Sequence, residues 1–405
     1  MRLYACICAI ARDEDPEDLK EWLWYHLGLG FERAIIYDNN SRKPIATTLA
    51  AEVAAGLAEV VPFPQREAPQ LSAYFHALRQ WKGRCRWLAF LDIDEFFVPL
   101  AAPAGTKGRS KGGVPDVRDI LAMYEPFAGI AAHWLMMGSS GHVRRPPGGA
   151  VRNYRQALRL ESQYKSVVRP EKTLRPLSPH HFAFTPGACA VNEDGFPVTE
   201  HLSYPTARFL RINHYYYKSQ EDYARKILRG TATPLKSGTR KMDAFYAQLN
   251  CPTRTDDAAC RCAACGEALA DRSPEDVRRM LCAPAEKDLL GYVTAADALA
   301  AQRPDDAREQ LRLAMRYHDV PPELVRMAAS HAVPLPECPA LACSDDMAAL
   351  RAAWLRAENL RASGMEGEFA AHAVQVRILH SLKKLYDGLG LQAQAGAVAA
   401  FAADG

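Results

Sequence analysis

The chain has 405 residues, 48% of them hydrophobic and 24% charged. That is ordinary globular usage, long enough for two or three domains, and it excludes a disordered or collagen-like chain. Lys and Arg number 50 and Asp and Glu 47, so the net charge is only +3 and gives no case for nucleic-acid binding. No apolar run approaches the roughly 18 residues a membrane span needs. The apolar opening MRLYACICAI breaks too early for a secretory leader. A cytoplasmic location is therefore expected, with peripheral contact to the inner face of a membrane as the one extension. The scattered cysteines are read as reduced thiols packed as small hydrophobes.

The first hundred residues alternate strand and helix signals. LYACICAI (3–10) reads as a buried strand. Asp15 is an N-cap with Pro16 at the first helical position, and Leu19, Trp22, Leu23 and His26 recur at helical spacing. Gly28 or Gly30 ends that helix. A second strand at 34–37 runs into the turn cluster Asp38-Asn39-Asn40-Ser41. A helix over 46–57, a strand near 58–63 and a helix over 69–82 follow. WLAFL (87–91) is a fourth strand, and Asp92-Ile93-Asp94-Glu95 comes directly after it. This βαβαβαβ order predicts an α/β fold with a mainly parallel sheet flanked by helices, and ligands bind beyond the carboxyl ends of such strands. Residues 101–115 read as a Gly/Lys-rich loop, and short strands alternate with turns from 130 to about 215. Ser219 opens a helix in capping-box style and Gly230 closes it. From about 285 onward the chain is rich in Ala, Leu and Arg with helical periodicity. The expected division is a catalytic domain over 1–250, a Cys-rich insertion or linker over 251–284 and an α-helical domain over 285–405.

The strongest chemical signal is the Asp92/Asp94 pair. Residues i and i+2 on a strand share a face, and two carboxylates there repel each other unless a cation joins them. A hard divalent ion with oxygen ligands suits them, and it also binds a diphosphate.

Five ordered segments carry a resemblance. They are Asp13-Glu14 with Glu21-Trp22 and Tyr25-His26, then IIYDNNS (35–41), WLAFLDIDEFF (87–97), HWLMMGSSGH (133–142) and INHYYYKSQEDYARKILRG (212–230). Together they resemble the family 92 glycosyltransferases, relatives of family 2, over roughly residues 1–235. The resemblance implies a GT-A fold, a nucleotide-sugar donor, a divalent metal held by the DxD motif and inversion at the anomeric carbon. It also implies a glycan or lipid-linked acceptor, as in surface polysaccharide or glycolipid assembly.

Individual residues take roles consistent with this. Asp38, after the second strand, is a candidate acceptor for the base or ribose of the nucleotide, with a turn cap as its ordinary role. Arg12 and Glu14 follow the first strand at the same edge and are candidates for the donor site. His214 ends a strand beside aromatics and four residues before Lys218. It is a third metal-ligand candidate beside Asp92 and Asp94, and an imidazole favours Mn2+ over Mg2+. Lys218 is a candidate diphosphate clamp. Residues 141–175 hold nine Lys and Arg and two acids, and Lys165 and Lys172 in that stretch are candidates to face an anionic ligand. His180 and His181 are read as packed or surface histidines, and Ser139-Ser140 as a tight loop contacting ligand. Asp94 is placed in the catalytic set. Glu193 and Asp194 are candidate bases for the acceptor hydroxyl, by acidity and position alone.

Cys251, Cys260, Cys262, Cys265 and Cys282 offer thiolates for a structural Zn2+, although the spacing lacks two clean C-x2-C pairs. Two other functions stay open at this point. A haloacid-dehalogenase-like phosphatase also places a DxD after a buried strand, but wants Thr or Val where Phe96 stands and puts its nucleophile after the first strand. A scaffold with an inactive core is the other, and intact Asp92 and Asp94 count against it.

Overall fold

The structure is a computed structural model. It describes residues 2–281 apart from 102–112, 126, 187, 196, 199, 201, 204 and 230–241. The helical domain expected over 285–405, with Gly230 and Cys282, lies outside the described residues.

The chain begins as the pattern predicts, with β1 (Leu3–Ala11), α1 (Pro16–Gly28), β2 (Arg33–Asp38), α2 (Ile45–Thr48), α3 (Ala50–Ala54), β3 (Ala58–Pro62), α4 (Pro69–Trp81) and β4 (Cys85–Phe90). A tight turn leads to β5 (Glu95–Pro99), and α5 (Val117–Ala122), β6 (Gly129–Met137), α6 (Ala150–Asn153) and β7 (Gln156–Val168) follow. The hairpin β8 (Thr173–Pro176) and β9 (Phe182–Phe184) precedes β10 (Ala190–Val191), β11 (Pro197–Val198) and β12 (Leu210–His214). The described chain ends with α7 (Gln220–Arg229), α8 (Met242–Leu249), β13 (Arg254–Thr255), α9 (Ala258–Ala270) and a last helix, α10 (274–281).

The main sheet runs β11-β10-β6-β7-β4-β1-β2-β3. β3, β2, β1 and β4 are mutually parallel, so the carboxyl ends of β1, β2 and β4 share one edge. The sheet is mixed rather than mainly parallel, because β7 lies antiparallel between β4 and β6. β12 runs parallel to the end of β6 and antiparallel to β5. This pairing sets His214 opposite Glu95, one residue from the end of the Asp92–Asp94 turn.

α1 shows how the sequence builds this frame. The Asp15 side chain accepts from Glu17 N and caps the helix, and Pro16 needs no amide partner there. Its buried face holds Leu19, Trp22, Leu23, Tyr25 and His26. Trp22 Nε1 donates to Glu95 O at 3.0 Å and Tyr25 Oη to Phe97 O at 3.0 Å. Those carbonyls on β5 would otherwise be buried without partners.

His26 completes that seam. Its Nδ1 donates to Trp22 O at 2.7 Å, and its Nε2 accepts from Phe97 N at 3.2 Å. A second ring proton would point at the Phe97 amide. Burial drives the His26 pKa down to about 3. Below the ordinary histidine value of 6.5, the unfolded chain binds this proton and the folded chain does not. Stability from this residue is therefore complete above that value and declines as pH falls toward 3. Between pH 6.5 and 5 the decline is about 2 kcal/mol, at about 1.4 kcal/mol per unit. Urea titrations at pH 7 and pH 5 should show His26→Gln losing this increment of acid sensitivity. A variant as acid-sensitive as the parent would contradict the assignment.

The Cys-rich segment is not a linker. α9 packs along α1, and Ala259, Cys262, Ala263 and Leu269 join the same core as Trp22 and Trp87. The helices meet at two glycines. A Cβ on Gly28 would stand 2.5 Å from Gly266 N, and one on Gly266 would stand 2.6 Å from Trp24 O. A boundary at residue 250 cuts through this packing, so the folded unit extends at least to residue 281.

Candidate functional site

The Asp92–Asp94 motif is not on a strand. β4 ends at Phe90 and β5 begins at Glu95, so residues 91–94 form the turn between them. The strand-face argument for pairing the two carboxylates therefore fails. They diverge from the turn to different partners. Asp92 Oδ1 accepts from Gln70 Nε2 at 2.8 Å and, more distantly, from Tyr74 Oη at 3.5 Å, both on α4. Asp92 Oδ2 accepts from Lys165 Nζ at 3.0 Å. Asp94 Oδ2 accepts from Lys226 Nζ on α7, and Asp94 Oδ1 lies 3.7 Å from His214 Nε2. Burial raises the Asp94 pKa, but Lys226 and His214 outweigh it and hold this carboxyl well below the ordinary range. Burial lowers the His214 pKa, which Asp94 only partly opposes, so the ring stays neutral near pH 7. His214 Nδ1 is buried without a hydrogen-bond partner among the described residues.

The lysines divide into distinct classes. Lys165 is 1% exposed in its side chain and lies between Asp92 and Glu95, at 3.0 and 3.5 Å. Burial works against its charge, and those two acids overcome it. It is an internal counter-ion, not an outward clamp. Lys218 Nζ binds Asp18 Oδ2 at 2.8 Å from a left-handed backbone position, φ 49°. Arg145 joins Asp18 at 2.8 Å and Asp222 at 3.5 Å, tying α1 to the start of α7. Lys226, which the sequence reading missed, also donates to Tyr216 O at 3.1 Å and lies 4.0 Å from the Tyr216 ring centroid. Its signal was its place on the second turn of the helix that Ser219 caps through Asp222 N at 3.0 Å.

Along the same edge, the loops after β1 and β2 are stitched together. Asp13 N donates to Ser41 Oγ at 3.0 Å, and Arg42 N donates to Asp13 Oδ1 at 2.8 Å. Between them opens a cleft of about 340 Å3 that Glu14, Ser41, Arg42, Lys43 and Thr48 help line. Glu14 thus lies on the cleft wall, after the end of β1. Arg12 is exposed and outside that lining. Asp38 takes the ordinary role: its two oxygens accept from Ser41 N and Ile45 N, both at 2.9 Å. It shapes the cleft wall and does not project into it.

Several candidates lie elsewhere. Glu193 accepts from the amides of Arg208, Phe209 and Leu210, which lead into β12. His214 ends that strand, about 13 Å away at the usual rise per residue. Asp194 is buried beside Arg208 at 3.8 Å. Both acids stand by the entry to β12, at the end opposite His214. Lys172 follows β7 beyond Val168, next to Glu171, which bonds Arg2 and Gly83 at the amino-terminal edge of the sheet. It is at the wrong edge for a donor bound by Asp92. Ser139 and Ser140 meet Gln248 and Gln156 N, contacts that fix the loop itself. His180 comes closer than expected. It donates from Nδ1 to Tyr164 O at 2.8 Å and packs on Trp134, which also contacts His214.

Among the described residues, the clustered cysteines have separate surroundings. Cys260 Sγ reaches Val151 O, Cys265 Sγ reaches Arg261 O and Cys251 Sγ reaches Ala247 O, while Cys262 is buried in the core. Residues 260, 262 and 265 fan around one helix, so their thiols cannot share a tetrahedron. Among the described residues, no group of three or more His, Cys, Asp or Glu side chains is arranged to hold an ion unaided. No described helix is long and apolar enough to cross a membrane.

Comparison with known proteins meets this geometry from another side. The model of glycosyltransferase family 92 matches residues 1–222. A glycosyltransferase family 92 protein of Ricinus communis is 30% identical over 236 residues, which are 56% of this chain and 38% of that protein. Family 92 proteins of Arabidopsis thaliana and Oryza sativa subsp. japonica are 27% and 28% identical, again over 56% of this chain and over 38% and 36% of their own lengths. The chain thus spans under two fifths of the length of the curated relatives it matches. The matched region holds the parallel half-sheet, the Asp92–Asp94 turn and His214, and it ends within α7. The chain belongs to glycosyltransferase family 92.

Proposed function

We propose that this protein is a glycosyltransferase with the GT-A arrangement, moving a sugar from a nucleotide-sugar donor to a glycan or lipid-linked acceptor with inversion. The observation that carries the reading is the turn at the carboxyl end of β4, where Asp92 and Asp94 each meet a lysine at the sheet edge shared with the ends of β1 and β2. The nucleoside occupies the cleft between the loops after β1 and β2, and the diphosphate lies toward Asp94. Family membership supports glycosyl transfer over a dehalogenase-like phosphatase.

A divalent ion fits the residues present. Asp92 and Asp94 are each matched by one ammonium group, and Lys218 is matched by Asp18. A dianionic diphosphate brought to this balanced site needs further positive charge. Asp94 Oδ1 and neutral His214 Nε2 would hold the ion, with donor phosphate completing the set. An oxygen and imidazole set suits Mn2+. When bound, the ion would offset charge on the departing diphosphate. Lys226 is poised to exchange its carboxylate for a phosphate oxygen, since that carboxylate, Asp94, would turn to the ion. Lys165 and Gln70 keep Asp92 oriented.

Titration calorimetry with Mn2+ and a panel of nucleoside diphosphates tests this. Lys226→Met should weaken the best-binding diphosphate by about tenfold to a hundredfold, as loss of a charge-assisted contact does. It should not weaken the free nucleoside, which has no phosphate to meet. Unchanged diphosphate affinity in Lys226→Met would remove Lys226 from the site.

A further inference from the structure

Glu95 has no assigned part in the site, yet it is completely buried directly after the motif. Its Oε2 accepts from Asp92 N at 2.9 Å, while its own N donates to Asp92 O at 3.1 Å. These two bonds close the turn on itself. The same Oε2 lies 3.5 Å from Lys165 Nζ, whose other partner is Asp92 Oδ2. Lys165 comes from β7, and Glu95 opens β5, which β12 holds in register with His214 opposite Glu95. One buried carboxyl thus joins the turn backbone, the Asp92 side chain and the strand that carries His214.

We propose that Glu95 and Lys165 are positioning residues that lock the Asp92–Asp94 turn before any ligand arrives. Glu95 fixes the Asp92 backbone, and Lys165 fixes the Asp92 carboxylate. Neither touches the ligand, since both are enclosed. The gain is preorganisation: a turn held in one shape loses no freedom when its carboxylates meet a ligand. This rests on the donor-site reading above for its purpose, but the lock itself is a property of the protein alone.

The test compares the full chain with Glu95→Gln and Glu95→Leu, with Glu95→Ala in reserve if the leucine does not fold. Glutamine keeps an oxygen that accepts from Asp92 N, and leucine and alanine do not. Hydrogen exchange of the Asp92 amide is read by fragmenting the 90–96 peptide. It should stay slow in Glu95→Gln and speed up at least about tenfold in Glu95→Leu or Glu95→Ala, with β1 and β6 still protected. Affinity for Mn2+ with uridine, guanosine or adenosine diphosphate, measured where every variant is folded, should follow the same order, with rescue by glutamine. Unchanged exchange in leucine and alanine variants overturns the lock, as does a glutamine variant exchanging as fast as they do. If exchange follows the expected order but the parent binds none of these diphosphates, the lock stands and the donor-site reading falls.

Discussion

Replacing Asp94 with alanine is expected to reduce Mn2+-supported diphosphate binding by at least a hundredfold, about 2.7 kcal/mol or more, while the fold survives. Among the described residues, Asp94 is the only acid that meets both His214 and Lys226. Its removal takes away one side of the ion site, and it leaves Lys226 with the Tyr216 carbonyl and ring as its remaining contacts. His214→Ala removes only the neutral partner and should cost less, about tenfold. The two changes should not add, because each disables the same ion site. Calorimetric titration of the two single variants and the double variant decides this. An additive double variant would place Asp94 and His214 in separate roles. Asp94→Ala with parental affinity would remove the motif from donor binding altogether.

The second large effect concerns α9. A chain ending at residue 250 keeps every residue of the proposed donor site, yet it removes the helix that packs on α1 at Trp24, Tyr25 and Gly28. That face would become an exposed apolar patch beside the strand His26 supports. The expected result is an insoluble or molten product, whereas a chain ending at 281 should unfold cooperatively. A point substitution gives the same answer more gently. Gly266→Val forces a Cβ to within 2.6 Å of Trp24 O, and backbone on both sides leaves little room to yield. Overpacking of this kind costs about 3 kcal/mol. Thermal unfolding of the three proteins checks the claim. A soluble, cooperative chain ending at 250 would restore the boundary that composition suggested.

Most of the parallel half of the fold was legible because its signals are local. Asp15-Pro16, the apolar spacing of α1 and the WLAFL run each mark an element within a few residues. The mixed sheet was not legible, since antiparallel β7 reaches its place between β4 and β6 only through long-range pairing. Neither was the role of α9. Its composition is unremarkable for an insertion, and the close approach of Gly28 to Gly266 depends on two helices more than two hundred residues apart. Of the residues in the proposed site, Asp92, Asp94 and His214 stood out through strand ends and the ordered motifs. Lys226 was hidden among ordinary helix lysines, and its direction toward Asp94 follows from how α7 is docked by Arg145 and Lys218. Glu193 drew notice because an acid in a loop between short strands looks available, whereas in the fold its oxygens accept from three backbone amides at the entry to β12.

The most direct measurement is a thermal-shift panel of nucleoside diphosphates and their sugars against the full chain, with Mn2+ and with chelator. Ligand at about 100 times its dissociation constant adds about 2.7 kcal/mol, a rise of roughly 5 °C or more for a domain of this size. At least one nucleotide should produce that rise with Mn2+, lose most of it with chelator, and lose it entirely in the Asp92→Ala, Asp94→Ala double variant. If no nucleoside diphosphate or sugar shifts the parent in either condition, the Asp92–Asp94 turn is not a donor site. If the shift persists unchanged in the double variant, the nucleotide binds elsewhere.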